Sequence, residues 1–535
     1  MTGFARFRQV PRNSPRPWRS IRVKTVRVMG ASLVGTCAEI VTIEARFTGK
    51  DRGRTEVVLT GLPDPVIRES RGRLVCALAE NGLRLPPGQL FLNLVPAGRK
   101  KSGEILDLAL VLGAAGAGGH LDARALQGIL FLGEVGIDGT LHAVPGGLAA
   151  ALAAREAGIG RVIAPGATAE EAACVPGLEV WVAGHLSRVL AHLTHKEPVL
   201  PRARAPEPLH GRPDGPSLDD VRGQAAAKYA LAVAAAGGHG ILFIGPPGAG
   251  KSMLARRLLG LLEAPDQDER LEITRALSAS GRWPGGLATT RPFRAPHHTT
   301  SYAGLVGGGP RLTPGEITLA HRGVLFLDEL PEFRREALEA LRQPLESGTV
   351  LIARAERRVE LPARFQLVAA MNPCPCGYLG HARVPCSCPP SHVARYRRRI
   401  SGPLLDRIDL RIEVAPPTLD DIVPLRASGD RSGSHSPGEA SEQDLRRSVE
   451  RARAIRRSRG SAVRNVDLDG ADLDRLAPVE GEARALLAAA AGRRDLSARA
   501  LQSLRRVART VADLEGTEHV TSSHIAQALA LRAPI

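Results

Sequence analysis

The stretch Gly245-Pro246-Pro247-Gly248-Ala249-Gly250-Lys251-Ser252 matches the pattern G-x-x-x-x-G-K-[ST]. Its glycines let backbone N–H groups turn toward phosphate oxygens, and a helix starting at the lysine adds its positive end. Lys251 is spaced to reach β- and γ-phosphates, and the Ser252 hydroxyl to hold Mg²⁺, so the expected ligand is ATP with magnesium. Seventy-seven residues after Lys251, an apolar run over 323–327 ends in Asp328 and Glu329. Such a run reads as a buried parallel strand, whose carboxyl end is where ligands bind in open α/β sheets. Asp328 there would hold the magnesium and Glu329 would polarise the attacking water. Two acids after a strand can also be a helix cap, but their pairing with a phosphate loop favours chemistry. A further run over 365–371 ends in Asn372, whose amide could orient the lytic water or sense the γ-phosphate. Asn-Pro is also an ordinary turn.

These groups need strands that end on one edge. Residues 241–244 read as a short apolar strand and 253–262 as the helix that continues the phosphate loop. A helix is expected over 334–345, then a strand–turn–strand hairpin over 348–361 carrying Arg354, Arg357 and Arg358. With Arg395, Arg397, Arg398 and Arg399 they offer phosphate contacts without a base code, or else a solvated basic face. The helix over 443–459 is equally rich in arginine, with the same two readings. Cys374, Cys376, Cys386 and Cys388 lie within fifteen residues. They either wrap a tetrahedral Zn²⁺ or order a loop as reduced thiols, the C-x-C spacing being tighter than the usual C-x₂-C. Cys37, Cys76 and Cys174 are scattered and read as core residues. His297 and His298 lack an evident third ligand and are assigned a structural or substrate-loop role.

The chain has 535 residues, with 72 Lys and Arg against 55 Asp and Glu, a net charge of +17. That surplus suits a polyanionic partner such as DNA, although Arg-rich codon usage would also produce it. No run of eighteen apolar residues is present, so no membrane span is expected. Clustered cysteines without a secretory leader point to a reducing cytoplasm. Residues 1–25 form a basic arm, or follow from a start placed upstream of the true one. Residues 26–195 alternate β-branched runs with Ala/Leu-rich helices, a mixed α/β pattern. A Pro-rich linker follows over 196–216, then the nucleotide-binding α/β block over 217–417. A polar insertion spans 427–442, and 443–535 is helical. The helix near 497–514 carries an apolar stripe of Leu501, Leu504, Val507, Val511 and Leu514, with Arg499, Arg506 and Arg509 on the other side.

Longer motifs bring a family into view. RPFRAPHHTTSYAGLVGGGPRLTPGEITLAHRGVLFLDELPEF, VAAMNPCPCG, GLPDPVIRESR, SGPLLDRIDL and LSAR…RVARTVADLEG occur in order. With them the chain resembles the YifB/ComM-type magnesium-chelatase-like AAA+ ATPases over nearly all its length after residue 25. The resemblance implies an N-terminal Lon-protease-like α+β domain (ribosomal S5 domain 2-like), a central AAA+ α/β domain and a C-terminal helical lid. It makes Asn372 a sensor-1 residue, Arg407 an arginine finger acting on a neighbour's ATP, and Arg499 the sensor-2 arginine. Arg407 would otherwise pair with Asp406 or Asp409, and Arg499 would lie on a solvated helix face. A finger acting in trans implies a homo-hexameric ring, whose hairpin arginines would face a polyanion in the pore. In the Lon-like block Glu104 takes the place of the serine nucleophile, Ser102 lies two residues away, and Ala149-Ala150-Ala151 stands where the general-base lysine belongs. Proteolysis is therefore not expected. The implied activity is ATP hydrolysis driving a branch-migration helicase on DNA in recombination or natural transformation. The alternatives are a chelatase motor subunit driving metal insertion, or a protein-remodelling ATPase.

Overall fold

The computed structural model describes residues 25–48, 55–101, 103–194, 200–207, 216–309, 312–354, 357–416, 440–460, 463–494 and 496–534. The basic arm, most of the linker, Ser102 and nearly all of the polar insertion lie outside these residues, as do the side chains of Arg354 and Arg357.

The N-terminal block is a seven-stranded mixed sheet. Its order is Thr55–Thr60, Gly88–Val95, Cys37–Thr48, Val26–Val34, Ile129–Phe131, Arg161–Ala164 and Glu179–Val182. Period-two alternation buries Leu90, Leu92 and Leu94 on one face of Gly88–Val95, against the fully buried helix Asp107–Ala117. Asp107 starts that helix inside the core. It is tolerated because Ser70 donates to it at 2.5 Å and Arg73 at 2.7 Å. Cys174 is buried as expected, but Cys37 and Cys76 are exposed. Cys37 opens a strand straight after a turn, and Cys76 lies on the outer face of the helix Pro65–Glu80.

The central block is a five-stranded, all-parallel sheet in the order Phe293–Arg294, Val324–Leu327, Gln366–Met371, Ile241–Ile244, Leu410–Glu413. Its middle strands are apolar runs because both faces are covered. On one face the helix Ala225–Gly237 shares a continuous core with the C-terminal helices Glu442–Ser458, Ala498–Glu515 and Ser522–Ala530. The expected helix over 334–345 is split into Arg335–Ala340 and Pro344–Ser347. Pro344 has no N–H to give to Ala340, and its ring collides with that carbonyl. The hairpin forms as Thr349–Arg354 and Arg357–Pro362, with Val350, Ile352, Val359 and Leu361 buried and Arg358 exposed.

The N-terminal block packs on the central one, with Leu271 and Leu287 lying against its core. The buried Glu171 accepts from Leu148 N–H and from Ser278 Oγ on the helix Gln267–Ala279. The turn at Gly35 abuts Val359 and Leu361 of the hairpin so closely that a side chain at 35 would collide with both. No helix among the described residues is long and apolar enough to cross a membrane.

In the helix Ala498–Glu515 the apolar stripe is buried at Leu504, Val507, Val511 and Leu514 and half-buried at Leu501, but Arg509 does not lie on a solvated side. It is fully buried, pairing with Asp513 at 2.9 Å and donating to the carbonyls of Thr517 and Glu518. Asp513 also takes both guanidinium nitrogens of Arg459 and the Asn465 amide. One buried carboxylate thus neutralises two arginines and locks three segments of the helical block together. Replacing it strands both charges, so Asp513→Ala should lower stability by about 3–5 kcal/mol. Asp472→Ala, which removes only the exposed pair with Arg475, should cost about 0–1 kcal/mol. Urea midpoints of the two variants check the contrast.

Candidate active site

Strand register places the chemistry. Ile244 is level with Met371 and Leu327 with Ala369, so Gly245, Asn372 and Asp328 all emerge on the carboxyl edge of the parallel sheet. There Asp328 and Asn372 line one cleft of about 420 Å³ with residues 247–253, Glu329 and Met371. Gly250 sits at φ 85°, a left-handed conformation that suits glycine, and no side chain caps the helix Lys251–Leu261. Its first N–H groups therefore face the cleft as an anion-binding end.

Lys251 is buried, and its ammonium donates to Gly245 O at 2.6 Å, Pro246 O at 2.9 Å and Asn372 Oδ1 at 3.0 Å. Burial pushes it below the ordinary lysine range, against the opposing pull of Asp328 and Glu329. Phosphate oxygens entering the cleft would replace the loop carbonyls around this charge. Ser252 Oγ donates to Asp328 Oδ2 at 2.6 Å. A hydroxyl and a carboxylate oxygen so close, beside a phosphate cradle, are the hard oxygen donors magnesium prefers. Glu329 adopts a left-handed backbone (φ 51°, ψ 48°), uncommon for a residue with a Cβ.

One member of the site escaped the sequence. His298 Nδ1 lies 3.0 Å from Glu329 Oε2. The His298 ring is held by His297, 4.1 Å away between centroids, and by an edge contact with Phe333. Two adjacent histidines far from the acids carry no local signal, and only folding brings them to the carboxylate.

Arg407 and Arg499 do not enter this cleft. Arg407 precedes the strand Leu410–Glu413 and packs beside Gly240, at the amino edge of the sheet. The strand Ile241–Ile244 separates that point from Gly245, about 16 Å along the chain at strand spacing. Arg407 pairs neither with Asp406 nor with Asp409 but with Glu346, and Arg499 meets the same carboxylate at 3.1 Å. Asp406 instead accepts from Ser497, and Asp409 from Ser503 and His239.

The four clustered thiols converge. All four Sγ atoms lie within 4.8 Å of one another, the closest pair, Cys374 and Cys376, at 3.3 Å. Disulfide sulfurs would be about 2.0 Å apart. Four ligands at about 2.3 Å from one zinc place their sulfurs about 3.8 Å apart, close to what is seen. Backbone N–H groups of Leu379, Cys376 and Cys388 point at the sulfurs, and that of Tyr378 is the chief cause holding the Cys376 thiol at about 6. The donor set fits Zn²⁺. This loop rests on the phosphate loop: a Cβ on Gly377 would stand 2.6 Å from Pro247 Cδ.

Of the other basic candidates, Arg358, Arg395 and Arg398 are exposed. Arg397 donates to Pro373 O and Arg399 pairs with Glu332.

Comparison with known proteins agrees with this anatomy. The family model described as magnesium chelatase, subunit ChlI matches residues 217–422, that for subunit ChlI of Mg-chelatase matches 44–168, and the ChlI C-terminal model matches 438–532. Competence protein ComM of Haemophilus influenzae is 39% identical over 521 residues, covering 95% of this chain and 97% of that protein. The uncharacterized protein YifB of Escherichia coli is 37% identical over 508 residues, covering 94% and 95%. A shorter likeness, 33% over 133 residues, 25% of this chain and 14% of the other, is to DNA replication licensing factor MCM3 of Gallus gallus.

Two outcomes follow from the cleft. Lys251→Ala removes the one ammonium lining it and should abolish nucleotide binding in this cleft, so that hydrolysis is lost altogether. His298→Ala frees the Glu329 carboxylate and should lower kcat for nucleotide hydrolysis by about 10- to 100-fold while leaving KM unchanged. Steady-state kinetics separate the two effects.

Proposed function

Since the chain belongs to the YifB/ComM family of magnesium-chelatase-like AAA+ ATPases, we propose that it works as a homo-hexameric, ATP-driven motor on DNA. The observation that carries the ring is the placement of Arg407 and Arg499 on the sheet edge opposite their own cleft, side by side on Glu346. From there a second copy's cleft is the one they can complete. In that seam Lys251 and the helix N-terminus hold the phosphates, and Ser252 and Asp328 would hold magnesium, which neutralises phosphate charge. Glu329 accepts the proton of the attacking water while Asn372 orients it. The neighbour's Arg407 and Arg499 meet charge developing on the γ-phosphate.

DNA as substrate is supported by the net charge of +17 and by the exposed Arg358, Arg395 and Arg398. It is supported too by likeness along the whole chain to a competence protein and along a quarter of it to a replication licensing factor. Branch migration of joined duplexes is the activity this reading favours. The N-terminal block serves as a scaffold rather than a peptidase, and the four cysteines bind a structural zinc that braces Pro247. A chelatase motor, driving metal insertion, is the second reading, because all three matching models describe magnesium chelatase subunits.

On a four-way junction the wild-type protein should separate arms only with ATP, with a strong loss of binding as salt rises. Glu329→Gln should bind the junction and separate nothing. ATPase activity with neither DNA binding nor DNA stimulation would end the DNA reading; stimulation by porphyrin-pathway partners instead would favour the second. Arg407→Ala and Arg499→Ala should each keep ATP binding and lose turnover. Elemental analysis should find zinc, one ion per chain, absent from Cys386→Ser, which should also bind ATP more weakly.

A further inference from the structure

A second cavity, of about 660 Å³, opens on the amino edge of the parallel sheet, between that edge and the helix Glu442–Ser458. It is larger than the phosphate-loop cleft, at about 420 Å³, and shares no residue with it. Gly238, Gly323 and Gln366, which stand at the amino ends of three strands, form its floor. Seven arginines and four acids line it.

The acids are all engaged. Glu263 pairs with Arg457, Glu269 with Arg291 at 2.6 Å and Arg322 at 3.5 Å, and Asp467 with Arg464 at 2.9 Å. Asp266 caps the helix Gln267–Ala279 by accepting from Glu269 N–H. Three guanidiniums remain without a carboxylate. Arg453 is buried and donates only to the carbonyls of Ala235 and Leu261. Arg456 has no hydrogen-bond or ion-pair partner among the described residues, and its Nε is buried. Arg364 is exposed on the opposite wall, also without a carboxylate. Burial is the main cause pushing Arg453 down to about 10; Glu263 pulls the other way, and Arg456, Arg291 and Arg457 add like-charge repulsion. Gathering cations in a concave site with their counter-charges spent is unfavourable unless an anion is bound. Planar guanidiniums from two walls match the oxygens of linked phosphates.

We propose that this cavity binds a compact oligophosphate, held chiefly by Arg456, Arg364 and Arg453, at a site separate from the hydrolytic one. The chemistry is that of linked phosphates, whether inorganic or carried by a nucleoside; Ala235, Ala236 and Leu262 give an apolar wall against which a base would rest. The proposal does not depend on the motor reading.

Calorimetric titration of the full-length Lys251→Ala protein, its hydrolytic cleft disabled, tests this with sodium tripolyphosphate and with ATP. Saturable binding of one tripolyphosphate per chain is expected, weakened at least about tenfold by adding Arg456→Ala or Arg364→Ala. Arg364 is exposed, so its substitution decides the matter should Arg456→Ala fail to fold, as judged by its melting temperature without ligand. Tighter binding of ATP than of tripolyphosphate identifies a nucleotide as the ligand, and equal binding identifies the phosphate chain alone. Absent binding, or binding indifferent to both substitutions, overturns the proposal. So does displacement of tripolyphosphate by duplex DNA but not by ATP, which would make the cavity part of a nucleic-acid groove.

Discussion

Two guanidiniums held on one carboxylate, Arg407 and Arg499 on Glu346, are the interaction on which the proposed ring rests. Arg407, and less strongly Arg499, hold the Glu346 carboxyl below its usual range. Glu346 and Arg499 are largely exposed, at 58% and 42%, whereas Arg407 is only 10% exposed, so the cluster reaches the surface through Arg499 and its carboxylate. Their own phosphate loop lies beyond a strand's length of sheet. Under the proposed ring, a cleft that holds its lysine, its two acids and its amide would take from a neighbour the cations that meet charge developing on the γ-phosphate.

The same short strand bears on both halves. Leu410–Glu413 begins three residues after Arg407, and Val414, just past its end, donates to Ile244 O and packs on Gly245 at the start of the phosphate loop. Its leading turn is gripped by the helical block. Ser503 donates to Asp409, Ser497 to Asp406, and Arg532 to the carbonyls of Ile408 and Asp409. A shift of the C-terminal helices would thus bear directly on Arg407, the arginine the proposed ring offers to a neighbour, and through one four-residue strand on the phosphate loop. The thiol cluster braces that loop from the other side, through Gly377 against Pro247.

Much of the cleft was legible before folding because its determinants are local. A phosphate loop is a run of eight residues, and an apolar strand ending in acids announces both its burial and its edge. The split at Pro344 is equally local, since a proline ten residues into the expected helix forbids the N–H bond there. What could not be read were pairings between distant segments. Nothing near Glu346 marks it as the partner of arginines 61 and 153 residues away, and nothing near His298 points to Glu329. Arg509 and Arg453 look like surface residues by type, and only the buried carboxylate at 513 or a carbonyl cage turns such a charge into a core residue. The wider surplus of arginine gave the same ambiguity throughout, since composition cannot separate a polyanion-binding face from arginines spent on internal pairs.

The most direct measurement mixes two disabled proteins. Lys251→Ala keeps its arginines but has no working cleft, and Arg407→Ala keeps its cleft but lacks the arginine. If hydrolysis occurs at the seam between copies, neither protein turns over ATP alone, and the mixture does, because some seams pair an intact cleft with an intact arginine. A mixture as inactive as its components, or an Arg407→Ala protein that hydrolyses ATP normally by itself, would contradict hydrolysis in trans.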